Sequence, residues 1–470
     1  MAASSSALPD LVGSERPTTT RAERRKAFVG ASAGHLIEWY DYGVYGFLAV
    51  YVGAAFFSSD EPIFEILAAF GLFALSFFIR PLGGLFFGPL SDRIGRRKTL
   101  MWVLGLMCGA TALIGMLPTA AQIGVLAPLL LVFLRLVQGF SAGGEISTIT
   151  AFVSEYSAKG GRGLATSYLM ITAAMGLMMG AVVANGLAWA IGSEAMYEWG
   201  WRLPFLLAGV LGAVAVYIRM KLEDSPEFKQ LHAEKKLSKS PLRETLRYPR
   251  QLFLVAAIIT LLGSSFYLVM TFMTTYMRNI LELEAGPIFW LSIMAGVAAA
   301  VMMPVGGHLS DRMSDRRPML IIGTIAVGVA VTWFFLVAPT ADTLMGVALP
   351  LLVVGLATGL YTGVPYATMS ELMPAHIRST GIALGYNIPI AVFGGSAPFV
   401  ATWLIATTGD DSSPKWFFLL TAVIALIGIV CIRKQDLMGH EDVAVTGSMD
   451  IINVPKQDDA VREDVSTHQR

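Results

Sequence analysis

Gly88-Pro89-Leu90-Ser91-Asp92-Arg93-Ile94-Gly95-Arg96-Arg97-Lys98 and Gly307-His308-Leu309-Ser310-Asp311-Arg312-Met313-Ser314-Asp315-Arg316-Arg317 stand 219 residues apart and read as one pattern written twice. Each ends a long apolar run with an Asp-Arg pair and a basic cluster. A second pair of positions keeps nearly the same offset. Glu155 and Arg162 lie seven residues apart, and so do Glu371 and Arg378, 216 residues later. Two halves with the same internal order imply a pseudo-two-fold pair. In many membrane carriers the axis of such a pair runs along the membrane normal, and a solute site lies between the halves near the midplane.

The composition around these repeats belongs to a bilayer. Of 470 residues, 55 % are hydrophobic and only 14 % charged, against about 25 % charged in an ordinary soluble domain. Mean hydropathy is +0.62. A soluble globular enzyme, a disordered chain and a basic nucleic-acid binder are all excluded. The 34 basic and 34 acidic residues cancel, so only their placement carries information. Cys108 and Cys431 sit far apart in apolar runs and suggest neither a disulfide framework nor a zinc site. Apolar runs near 28–57, 64–90, 99–117, 122–150, 164–190, 202–220, 251–280, 286–309, 318–338, 344–369, 378–407 and 415–432 predict twelve spans. The runs are continuous rather than alternating, so they are helices and not barrel strands. The expected fold class is therefore all-α, a polytopic membrane protein of twelve transmembrane helices in two pseudo-symmetric six-helix halves.

The polar breaks set the orientation. Those at 58–63, 118–121, 190–201 and 339–343 contain no Lys or Arg, whereas the opposite set carries Arg93 to Lys98, Lys159 and Arg162, a cluster from Arg219 to Arg250, and Arg312 to Arg317. By the positive-inside bias this set, with both termini, is cytoplasmic. The expected organisation is an N-terminal tail (1–27) without signal-peptide character, a six-helix half (28–220), a cytoplasmic linker (221–250), a second half (251–432) and a disordered tail (433–470). In the linker, Ser225 followed by Pro226 offers a helix N-cap. A short surface amphipathic helix and a solvated connection are equally open there.

An ionisable residue in mid-membrane is expensive and is a functional candidate by default. Glu38, Asp41, Arg80 and Arg135 stand near span centres. On the first helix His35, Glu38, Asp41, Tyr42 and Tyr45 recur at three- and four-residue spacing, so they form one polar stripe. On the fourth, Arg135, Gln138, Ala142 and Glu145 share a face. The second half offers neutral groups at comparable depth, among them Tyr267, Tyr361 and Asn387. A carboxylate in a dry site holds its proton more tightly, because desolvation disfavours the charged form. An arginine stays charged and presents a fork that fits a carboxylate. Glu38 and Asp41, with His35, are thus candidates for proton coupling. Arg80, Arg135, Gln138, Tyr42, Tyr45, Tyr267 and Asn387 are candidates for substrate binding. The same charges could instead form a buried ion-pair network tying the first, second and fourth helices. Arg202, at the outer start of the sixth span, fits snorkelling. Gly139 and Gly143, like Gly176 and Gly180, match a small-xxx-small packing face.

The loop Gly88, Asp92, Arg93, Gly95, Arg96, Arg97 resembles the signature of the major facilitator superfamily, while the second copy departs from it at Ser314 and Asp315. Further segments, Glu38-Trp39-Tyr40-Asp41-Tyr42-Gly43, Arg80-Pro81-Leu82-Gly83-Gly84, Arg135 to Glu145 and Trp199-Gly200-Trp201-Arg202-Leu203-Pro204-Phe205, resemble the metabolite–proton symporters. That family includes carriers of proline and betaine, α-ketoglutarate, shikimate and citrate. The resemblance covers roughly 28–432. It implies a cytoplasmic latch in which Asp92, Arg93, Gly95, Arg96, Arg97, Glu155 and Arg162 act with Asp311, Arg312, Glu371 and Arg378. The resemblance also keeps Arg202 as a minor candidate.

The expected function is proton-coupled symport of a small carboxylate-bearing metabolite, an organic acid, by alternating access. A zwitterionic osmolyte such as proline or betaine is the alternative, and Ser265-Phe266-Tyr267 and Thr271-Phe272-Met273 resemble the osmolyte carriers. A non-transporting receptor on the same fold would call for an appended signalling domain, which the tail does not offer. An intramembrane enzyme would need paired catalytic groups, and none is written in the spans. No Gly-x-x-x-x-Gly-Lys-Ser/Thr loop appears, so neither ATP, another cofactor nor a metal is expected. The expected partners are the solute, protons and the lipid of the cell membrane, with no nucleic acid, and the expected state is a monomer.

Overall fold

The computed structural model describes residues 20–57, 62–313, 315–433 and Asp436. The tails expected to be polar or disordered lie largely outside these residues. Among the described residues the chain is helical, with no strand. Twelve long helices carry the apolar runs. The first half holds α1 (Arg21–Phe56), α2 (Pro62–Ile94), α3 (Arg96–Met116), α4 (Leu126–Tyr156), α5 (Arg162–Ile191) and α6 (Arg202–Met220). The second holds α7 (Pro249–Asn279), α8 (Ala285–Arg312), α9 (Arg317–Val337), α10 (Leu344–Leu372), α11 (Ala375–Thr408) and α12 (Pro414–Cys431). Ten are long and apolar enough to cross a bilayer. The other two, α1 and α2, carry Glu38, Asp41 and Arg80. Large apolar side chains such as Trp102, Phe133, Trp290 and Val329 point outward, as a lipid-facing surface requires.

Local sequence sets the helix ends. Thr20 caps α1, accepting from the Glu23 amide, and Glu23 returns the bond to the Thr20 amide at 2.8 Å. Proline occupies the first turn of α7, α9 and α12, where its missing N–H leaves no helical bond unmade. Within α7 and α11 one turn each is widened into a π segment, Leu268–Phe272 and Ile390–Gly394. Such turns often mark functional positions.

The packing repeats with the sequence. In the first half α1 packs on α5, α2 on α4, and α3 on α4 and α6; in the second α7 packs on α11, α8 on α10, and α9 on α10 and α12. Glycine makes the tightest of these contacts. A Cβ at Gly143 of α4 would lie 2.0 Å from the Arg80 carbonyl of α2. Its counterpart Gly359 of α10, 216 residues on, would lie 2.2 Å from the Ala299 carbonyl of α8. The halves meet mainly through two helix pairs, α2 with α11 and α5 with α8, and α11 also touches α4. A two-fold exchange of halves turns one pair into the other.

The helix ends that carry the basic loops gather on one side, called here the basic end. The connection between the halves crosses it. Ser225 caps a linker helix, Pro226–Ala233, through the Phe228 amide, and a second short helix follows at Pro241–Thr245. The linker is therefore more than a solvated connection, because Glu227 and Phe228 are buried against the bundle.

Candidate functional site

The polar stripe of α1 faces the interior of the first half. His35, Glu38 and Asp41 are each at most 1 % exposed. Asp41 accepts a hydrogen bond from Gln138 Nε2 at 2.9 Å, and the same nitrogen reaches Thr111 of α3 at 2.6 Å. Gln138 Oε1 accepts in turn from Arg135 Nη1 at 2.8 Å, and the Arg135 guanidinium lies over the Tyr45 ring. These contacts tie Arg135 into a network inside the first half, while its Nε and Nη2, like those of Arg80, find no hydrogen-bond partner. Glu38 stands on the other side of the stripe, its Oε2 3.4 Å from His35 Nδ1.

Arg80 is different. It lies between the halves, 4.3 Å above the Phe77 ring and 4.7 Å from the centre of Tyr42. Phe77 also contacts Tyr267 of α7 edge-on, with ring centres 5.6 Å apart. Among the described residues no carboxylate pairs with Arg80, and its Nε and Nη2 have no hydrogen-bond partner. A buried guanidinium is normally satisfied, so two open donors at this depth stand out. Asn387 of α11 lies at the same interface, its amide donating to the Gly143 carbonyl of α4 at 2.8 Å while Oδ1 is unpartnered. Arg80 itself is only 2 % exposed.

The basic end is latched. Asp92, at the end of α2, accepts from the Ser379 and Thr380 amides at 3.2 and 2.9 Å and from the Thr380 hydroxyl at 2.6 Å. It thus caps the start of α11 in the other half, where the helix dipole favours an anion. Asp311 does the same in reverse, accepting from the Gly163 and Leu164 amides of α5 at 2.8 Å each. Around Asp92 the charges join up. Arg96 pairs with Asp92 at 3.3 Å and Glu155 at 3.1 Å, and Arg378 reaches Glu155 at 2.9 Å. Glu227 of the linker helix binds Arg162 of the first half at 3.2 Å and Arg378 of the second. Burial alone would push the Glu227 carboxyl up, but Arg378 and Arg162 hold it below the ordinary carboxylate range. Gly95 has φ of +103°, and a Cβ there would lie 2.0 Å from an Asp224 carboxylate oxygen. Asp224 uses that proximity to accept from the Arg96 amide at 2.9 Å. Gly95 is thus fixed by both backbone and space.

The profile of the Major Facilitator Superfamily matches residues 32–396 and 290–443. The chain belongs to the major facilitator superfamily. Among similar proteins, the proline/betaine transporter of Salmonella typhimurium is 36 % identical over 426 residues, covering 87 % of this chain and 83 % of that one. The alpha-ketoglutarate permease of Escherichia coli K12 is 32 % identical, covering 90 % and 98 %. The citrate-proton symporter of Salmonella typhi is 30 % identical, covering 87 % and 94 %. Among solved structures, the proton:xylose symporter XylE bound to 6-bromo-6-deoxy-D-glucose superposes with a TM-score of 0.71 over 87 % of this chain and 95 % of its own, at 15 % identity. That likeness establishes the fold, the major facilitator arrangement of twelve helices. The names place the chain among multi-pass membrane transporters rather than enzymes.

Within that family frame, the structure rearranges the expected latch. Arg93 is exposed and donates to the Lys239 carbonyl. Arg97 turns to the carbonyls ending α6, Arg219 and Met220. Arg312 is exposed as well. The second-half partner is Arg316, which pairs with Asp311 at 3.0 Å and grips Glu371 at 2.7 and 2.8 Å. The repeat offset of 219 sets Asp315, not Arg316, against Arg96, so the active cation sits one residue out of register. Arg202 lies over the Trp201 ring, 4.3 Å from its centre. Sequence reasoning also missed Glu227 and the pairing of Glu145 with Arg219. Glu145 was visible on the Arg135 face, but nothing in the periodicity names its partner on α6.

Proposed function

We propose that the chain is a proton-coupled secondary transporter for a small carboxylate-bearing metabolite, with the basic end facing the cytoplasm. The observation that carries this reading is the Arg80 fork, buried between the halves with two nitrogens lacking acceptors. A substrate carboxylate would complete it with paired, charge-assisted hydrogen bonds. Glu38 and Asp41, one turn away along α1, supply carboxylates for the accompanying proton. The charges favour such coupling. With all groups ionised, Glu38, Asp41 and Glu145 balance Arg80, Arg135 and Arg219. An arriving anion upsets that balance in a dry interior, and one proton restores it. Tyr42, Tyr45, Gln138, Tyr267 and Asn387 then shape or support the chamber. Opening at either end proceeds by rocking the halves about the α2–α11 and α5–α8 contacts.

An organic acid is the first reading of the solute. A zwitterion such as proline or betaine is the second, favoured by the rings of Tyr42, Phe77 and Tyr267 beside Arg80, whose faces suit an alkylated ammonium. The similar proteins named as proline/betaine and citrate or α-ketoglutarate carriers support the two readings alike. Uptake of labelled citrate, 2-oxoglutarate, proline and glycine betaine into vesicles holding the purified protein, with and without an acid-outside gradient, tests the proposal. Gradient-driven accumulation of one class supports it and chooses the solute. Accumulation that ignores the gradient refutes the coupling.

A further inference from the structure

Glu145 and Arg219 form a buried ion pair that the Arg80 chamber does not use. Both Arg219 terminal nitrogens reach the Glu145 carboxylate, at 2.5 and 3.2 Å. They also donate to the Leu100 carbonyl of α3 at 2.9 Å and the Ala31 carbonyl of α1 at 3.4 Å. The guanidinium fits beside α1 because residue 34 is glycine, where a Cβ would lie 2.2 Å from an Arg219 nitrogen. His35 and Glu38 abut this pair. Ligand atoms of His35, Glu38 and Glu145 lie within 4.8 Å of one another. Such a trio could hold a metal ion, but Arg219 already occupies the Glu145 carboxylate with a positive charge. A proton suits the place better.

The two carboxylates of α1 differ in their surroundings. Asp41 accepts from Gln138, which Arg135 holds in turn. Each carboxylate keeps one oxygen without a hydrogen-bond partner, Asp41 Oδ1 and Glu38 Oε2, and the Glu38 oxygen faces the His35 ring, 3.4 Å from Nδ1. A single proton shared between the Glu38 carboxyl and the His35 ring supplies the missing donor. The charged or titratable groups around that pair are Asp41 and Tyr42 on α1, Arg80 on α2, Cys108 on α3, Glu145 on α4 and Arg219 on α6, with Tyr267 on α7, Tyr366 on α10 and Tyr386 on α11 from the other half; α5 presents the Leu169 backbone.

Resting on the proton-coupled reading above, we infer that the proton seat is the Glu38–His35 pair rather than Asp41, and that Glu145, fixed by Arg219, is the positioning residue that sets its proton affinity. The seat lies on the basic-end side of Asp41, by about 9 Å from His35 along α1. In the transfer, the O–H bond of Glu38 breaks and an N–H bond forms on His35; no other bond changes. Glu145 keeps its charge and faces the resulting imidazolium, with Arg219 limiting how strongly it pulls.

Infrared difference spectra of the purified full chain, recorded against pH in the absence of solute, test this directly. The carboxyl C=O stretch of a protonated side chain should titrate in the parent, vanish in Glu38→Gln and persist in Asp41→Asn. Glu145→Gln, which leaves the Arg219 charge unmasked, should weaken proton binding at that band about tenfold or more. The double variant Glu145→Gln/Arg219→Gln should return it to within about threefold of the parent, which a merely structural role would not do. His35→Gln keeps the test open if Glu145→Gln does not fold; it should also move the titration midpoint. A band lost in Asp41→Asn and kept in Glu38→Gln overturns the assignment, and a midpoint indifferent to Glu145 overturns the positioning role. Vesicle uptake on the same samples separates the failures. A titrating Glu38 band without gradient-driven uptake removes the transport reading and leaves the seat standing. Driven uptake with the band on Asp41 does the reverse.

Discussion

Arg80 carries a full charge at 2 % exposure with two guanidinium nitrogens unpartnered. An uncompensated buried cation is costly, and on the proposed reading a substrate carboxylate offsets that cost. Arg80→Lys keeps the charge and loses the fork. It should weaken binding of the true solute by about 2 kcal/mol or more, measured by competition on purified protein. Methyl esters of that solute should fail to compete with it on the parent. Esters that compete as well as acids would make Arg80 a packing residue. The four central charges were legible in the sequence because an ionisable side chain in an apolar run is rare. Their partners were not. Periodicity tells which face of its own helix a residue occupies, but the Gln138–Asp41 bond joins residues 97 apart and the Arg219–Glu145 bond residues 74 apart. Arg219 ends an apolar run and reads as a loop cation, yet its side chain turns inward.

At the scale of helices, the latch is made of helix ends. Asp92→Asn keeps one acceptor oxygen for the α11 amides but loses the charge that suits the helix dipole, worth about 1 kcal/mol. It should favour opening at the basic end several-fold. Binding to the Arg80 chamber should stay near the parent value while turnover falls, because the two-state balance is upset. Detergent binding set beside vesicle uptake checks this, and a large loss of affinity at normal turnover contradicts it. Glu227 makes a separate prediction. Its carboxyl lies below the ordinary range in the folded chain. Its stabilising contribution is therefore complete above that range and fades as pH falls through the lowered value. Glu227→Gln leaves Arg162 and Arg378 facing one another without their shared anion, a loss of about 3 kcal/mol for a buried pair. Thermal melts in detergent should show a lowered midpoint at neutral pH, with the gap to the parent narrowing on strong acidification. A gap that stays constant would deny the linker helix its clasp. The Ser225-Pro226 signal revealed that helix, but amphipathicity could not say that its acidic residue would bridge two arginines from different halves.

The molecule as a whole is symmetric in its packing and asymmetric in its charge. The helix pairings of one half recur in the other, and each half caps a helix of its neighbour through Asp92 or Asp311. The duplicated loop announced that symmetry, because a helix end needs the same residues wherever it recurs. The central charges, by contrast, belong to the first half, while the second contributes Tyr267 and Asn387. The basic end is closed and Arg80 is buried; on the proposed reading this is one member of an opening cycle. The central claim is that this cycle couples one carboxylate-bearing solute to protons. Its most direct test is uptake of the four labelled solutes into vesicles of purified protein under an imposed acid-outside gradient, with the gradient then collapsed by a proton carrier. The account predicts accumulation of one solute above its outside concentration, release on collapse, and loss of accumulation with retained exchange in Glu38→Gln. Accumulation unaffected by collapse of the gradient, or preserved in Glu38→Gln and Asp41→Asn alike, would contradict it.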